Sequence, residues 1–151
     1  EYIWINGGSP KISDNFFKTS SKVGILVNPK EVGMPIIYHN DFQIEGTAVK
    51  FLSGSEYKRG GVISLNKFDG DSILEIPCDS RVNIIQNQIK GRIKLSNSGN
   101  CSGGLIIGPN FWQVFDSETI LKEKIISKEK NFKVLIPTIL KQSPQGVGPR
   151  I

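Results

Sequence analysis

The chain contains one histidine, His39, in the run Ile37-Tyr38-His39-Asn40-Asp41. A carboxylate two residues from an imidazole can orient it for acid–base work. A lone histidine that closes an apolar run nevertheless reads first as a turn residue. Metal chemistry has less to draw on. There is no second histidine, and Cys78 and Cys101 stand too far apart in sequence to supply the close ligand pairs of a zinc site. Neither a metal nor a cofactor is expected.

The two cysteines carry a different expectation. An even, low count in a loop-rich chain makes Cys78 and Cys101 candidates for one disulfide. Closing a loop of about two dozen residues would stabilise the fold by roughly 3 kcal/mol in the chain-entropy account. Two separate buried thiols in a reducing compartment are the alternative. The segment Gly99-Asn100-Cys101-Ser102-Gly103-Gly104 resembles the nucleophile loop of chymotrypsin-like proteases over these positions alone. It is out of register: a glycine two before the nucleophile selects Cys101, and two glycines after it select Ser102. Such a protease also needs a histidine and an aspartate from separate earlier strands. Asn100-Cys101-Ser102 further satisfies the N-x-S glycosylation pattern.

Binding chemistry is better represented at the start of the chain. Tyr2, Ile3, Trp4 and Ile5 are apolar on both faces of an extended segment, and Asn6-Gly7-Gly8 follows as a joint. A terminal strand of this kind pairs at an edge of its own sheet or adds to the sheet of a neighbour. Trp4 is the expected buried anchor of either pairing.

Charge narrows the partners. Cys101 to Ile151 holds seven basic and four acidic residues, whereas Glu1 to Gly60 holds seven and six. The excess is mostly lysine interleaved with Glu118, Glu123 and Glu129, which is the pattern of a solvated face. Strong nucleic-acid binding is therefore not expected. A weak single-strand mode would use Phe111, Trp112 and Phe132 as stacking platforms. No apolar run approaches the length that spans a bilayer.

The elements that must position these groups are short β-branched runs: Tyr2 to Ile5, Lys22 to Val27, Met34 to Tyr38, Thr47 to Leu52, Val62 to Leu65, Ile73 to Ile76, Arg81 to Ile85, Ile89 to Leu95, Leu105 to Ile107, Phe111 to Phe115 and Phe132 to Ile136. Turn residues recur between them at the spacing of short antiparallel strands. Asp69-Gly70 reads as the clearest two-residue hairpin loop. The expected fold is all-β and mainly antiparallel, a sandwich or jelly-roll-like barrel. One short helix is expected near 117–128, capped by Asp116 or Ser117, with a strand as the competing reading of the same stretch.

Residues 1–141 form one expected domain, and 142–151 an extended tail or surface strap. No internal repeat is apparent. Glu1 in place of methionine suggests a processed or truncated start. Together these features predict a non-enzymatic structural or binding module with a protein partner or a second copy, in an extracellular, cell-surface or virion assembly. An enzyme with a site near His39 or the Cys101 loop is the alternative.

Overall fold

A computed structural model describes residues 3–19, 22–28, 33–52, 60–77, 81–96, 105–127 and 133–150. In chain order the elements are β1 (Ile3–Ile5), β2 (Lys11–Ser13), β3 (Phe16–Thr19), β4 (Val23–Val27), β5 (Ile36–Tyr38), β6 (Asp41–Phe51), β7 (Gly60–Ser64), β8 (Lys67–Pro77), β9 (Arg81–Ile85), β10 (Gln88–Ser96), β11 (Leu105–Ile106), α1 (Ser117–Glu123), β12 (Ile125–Ser127) and β13 (Val134–Leu135).

Every strand pair among the described residues is parallel. The chain is a β-solenoid, in which each coil lies on the one before it. The first coil is β2, β3 and β4; the second β5 and β6; the third β7 and β8; the fourth β9 and β10; the fifth β11, α1 and β12; β13 opens a sixth. Stacking produces a large sheet in the order β1-β4-β6-β8-β10-β12, with β3 also on β6, and a second sheet in the order β2-β5-β7-β9.

The antiparallel sandwich or barrel expected from sequence is therefore wrong, although strand content and the near-absence of helix agree with the all-β reading. Side-chain alternation has period two in either kind of sheet. Turn spacing alone does not say whether the next strand returns beside its predecessor or a whole coil later. The Asp69-Gly70 hairpin fails for the same reason. Both residues lie inside the continuous strand β8, and Gly70 is present because a Cβ there would strike the carbonyl of Ile44 on the coil before.

What stacks the coils is one repeated corner. Asp14, His39, Leu65 and Gln86 each adopt positive φ (61°, 54°, 54° and 56°), and each is followed by an asparagine: Asn15, Asn40, Asn66 and Asn87. Asn110 occupies the same corner on the fifth coil. Each Nδ2 of the first four donates to the Oδ1 of the next asparagine, at 3.0, 3.1, 3.2 and 3.0 Å across separations of 25, 26, 21 and 23 residues. From Asn40 to Asn110 the amides also donate to strand carbonyls such as Ile12, Ile37, Ile63 and Ile84. Asn40, Asn66, Asn87 and Asn110 are fully buried and fully bonded, which is the condition under which buried amides stabilise rather than cost.

The sequence reading found no repeat because the coils differ in length and only this corner recurs. The residue after each ladder asparagine donates its N–H to the carbonyl of the asparagine one coil earlier, from Asp41 through Phe111, and Leu140 does the same to Asn110. Ile139 thus takes the asparagine's place on the sixth coil and ends the ladder.

Beside the ladder the rings of Phe17, Phe42 and Phe68 stack at centroid separations of 4.6 and 5.0 Å. Isoleucine, valine and leucine fill the other inward columns, for instance Ile25, Val49, Leu74, Ile93 and Ile125. The β-branched bias of the strands follows from this, since each inward residue meets a like-shaped neighbour on the coils before and after it.

The stretch 117–128 divides. Asp116 caps α1 by accepting from the N–H groups of Glu118 and Thr119, but the helix stops at Glu123, and Ile125–Ser127 pairs with β10. The helix expected over 117–128 is thus shorter, and the competing strand forms but pairs with β10 rather than with residues 131–136, whose strand β13 pairs with β11.

Candidate functional site

His39 sits at the ladder corner, and its Nδ1 donates to the carbonyl of Gly146 at 2.7 Å. That bond places a proton on Nδ1. Asp41 is not its orienting partner: its side chain is nearly buried one position into β6, and its carboxylate lies 4.0 Å from Lys67 Nζ. The pair suggested for acid–base work is thus separated by the corner, and His39 serves to hold the tail.

The tail runs back across the corners of the stack. Leu140 bonds Asn110, Ser143 Oγ donates to Gln88 Oε1 at 2.8 Å, and Gly148 N–H donates to the Leu65 carbonyl at 2.9 Å. At its far end Arg150 reaches the first coil. The Arg150 backbone N–H and Nε donate to Asp14 Oδ1 at 2.9 and 3.0 Å, Nη2 bonds Oδ2, and the guanidinium lies 5.3 Å from the Tyr38 ring centroid. These bonds hold the Asp14 carboxyl well below the usual carboxylate range, the Arg150 side chain contributing most. Arg150 and Asp14 carry no sequence signal, since they lie 136 positions apart.

The lateral surface carries a shallow groove of about 390 Å³ lined by Gln43, Ile44, Glu45, Asp69, Gly70 and Asp71. Cross-coil ion pairs occupy two of its carboxylates: Asp69 faces Lys90 at 3.4 Å, and Asp71 bonds Arg92. Among the described residues no group of three or more metal-ligating side chains converges.

Large exposed apolar side chains are distributed unevenly. Trp4, Phe16 and Met34 lie on the first turns of the stack, and Ile106, Phe115, Ile126 and Leu135 on the last. Among the described residues from 36 to 105 there are none. Within the suggested binding segment, Ile5 is buried, Ile3 half-buried and Trp4 59% exposed, and the strand pairs with β4 of its own chain. Trp4 is therefore not the buried anchor expected; it points outward because Ile3 and Ile5 take the inward positions. Tyr2 lies outside the described residues.

Cys78, Cys101 and the glycine loop around Cys101 also lie outside them, and no disulfide is seen among those described. Trp112 is 2% exposed and packs in the core, so it offers no stacking platform; Phe111 is half-buried, and Phe132 lies outside the described residues. No described helix is long and apolar enough to cross a membrane. Comparison with family models, curated proteins and solved structures finds no match to this chain.

Proposed function

We propose that this chain is a non-enzymatic structural module, a rigid β-solenoid that makes its protein contacts at the two ends of the stack. The segregation of exposed apolar side chains to the end coils carries the reading. A rod that worked through its sides would place its adhesive surface on the middle coils, and exposed apolar clusters generally mark interaction sites. Supporting it, the outward positions of the middle strands carry paired charges, such as Lys50 with Glu75 at 3.6 Å, which keep those faces solvated.

The test is binding of a hydrophobic fluorescent dye to the purified chain. Trp4→Lys, Ile106→Lys and Leu135→Lys should each lower dye uptake with the circular dichroism unchanged, while Val62→Lys in the middle should not. Loss confined to the middle variant overturns the proposal.

A further inference from the structure

We infer that the partner at the stack ends is a second copy of this chain, added head to tail so that its β1 pairs in parallel with β12. The inference rests on the module reading above and supplies its occupant.

The large sheet keeps one register from end to end. The outward column runs Trp4, Leu26, Lys50, Glu75, Lys94, Ile126, and the inward column beside it runs Ile3, Ile25, Val49, Leu74, Ile93, Ile125. β12 at one edge and β1 at the other are both three residues long and point the same way. A copy translated along the axis places β1 on β12 with Ile3 over Ile125 and Trp4 over Ile126. The latter two are 59% and 40% exposed, and both would be covered.

The ends are stepped to match. The sixth coil has its β13 side and its corner, formed by Ile139 and Leu140, but among the described residues no strand follows β12 in the large sheet. At the other end β1 projects one coil beyond β2 and β3. The projecting strand fits the missing place, and main-chain hydrogen bonds between the two edges then continue the ladder.

Charge agrees in sign with this orientation: on and just after β3 the first coil exposes Lys18 and Lys22, and on and beside α1 the fifth coil exposes Asp116, Glu118 and Glu123 around the exposed Lys122. A heterologous contact of this kind does not close, and it yields filaments rather than a fixed dimer.

The experiment is light scattering of the 151-residue chain over a concentration series, with Trp4→Lys and Ile126→Lys as end-blocked variants. The wild type should grow in whole-chain steps without a plateau, and each variant alone should stay a single chain with an unchanged melting temperature. Mixing the two variants should give a dimer and nothing larger, because one sound junction remains. A single-chain wild type at millimolar concentration, a wild type that stops at a dimer, or a variant that still self-associates overturns the inference. If the dye experiment succeeds while this one fails, the module reading stands and the second copy is the wrong occupant.

Discussion

Asn66 donates to the Ile37 carbonyl at 2.9 Å and accepts from Asn40 N–H at 2.9 Å on the second coil, and donates to Asn87 Oδ1 at 3.2 Å on the fourth, so its removal strands groups on two coils at once. Asn66→Ala should cost about 3 kcal/mol, since each buried group left unpaired costs on the order of 1–3 kcal/mol. Asn66→Asp should be at least as damaging, because a carboxylate cannot donate to Ile37. Urea denaturation with an unchanged slope would check both. Asp14 makes a pH prediction. Its folded-state pKa is depressed, so its contribution to holding the tail is present at pH above the ordinary carboxylate value and is lost as pH falls below it. Carbon-detected NMR titration should find the Asp14 carboxyl ionised where an ordinary aspartate is already protonated, and Arg150→Ala should return it to the usual range. None of these roles was legible in the sequence, where asparagine reads as a turn former; only the stacking of coils makes it an interior residue.

The strands were largely legible as elements: β4, β5, β9 and β13 fall on or within runs whose β-branched residues marked them, and β7 and β10 overlap theirs. β2 and β3 were missed because Lys11-Ile12-Ser13 is too short for its alternation to register, and their pairing comes from β5 and β6 rather than from their own composition. The bend inside the long strands was misread as a hairpin. Gly91, on the coil after Gly70, has φ of 146°, and a Cβ there would meet the Gly70 carbonyl and Ile73. Gly91→Ala should therefore destabilise by about 2 kcal/mol or more. Phe42 lies between two stacked rings and is completely buried. Phe42→Ala should cost about 3–5 kcal/mol by thermal or urea unfolding.

At the scale of the whole molecule the sequence conveyed class but not topology. Length, apolar fraction and turn density bounded a β-rich fold, yet parallel winding depends on the contacts between coils, and those recur at unequal intervals. The strand Ile3–Ile5 was legible as an element, and the exposed residues at the opposite end were not, because Ile106, Ile126 and Leu135 alternate with buried neighbours and look like ordinary strand positions. The tail has a consequence for how such a molecule comes apart. A stack in which each coil touches only its neighbours behaves as a linear array, and linear arrays fray from their ends. Arg150 ties the chain's last described residue to the first coil, and Gly146 and Gly148 tie it to the second and third. The array is thereby closed on itself, and the terminal coils open only together with the rest. Native-state hydrogen exchange should accordingly give the Asp41 and Phe111 amides nearly the same opening free energy in the full chain. In a chain ending at Lys141 protection should fall away stepwise from the Asn66 coil toward both ends.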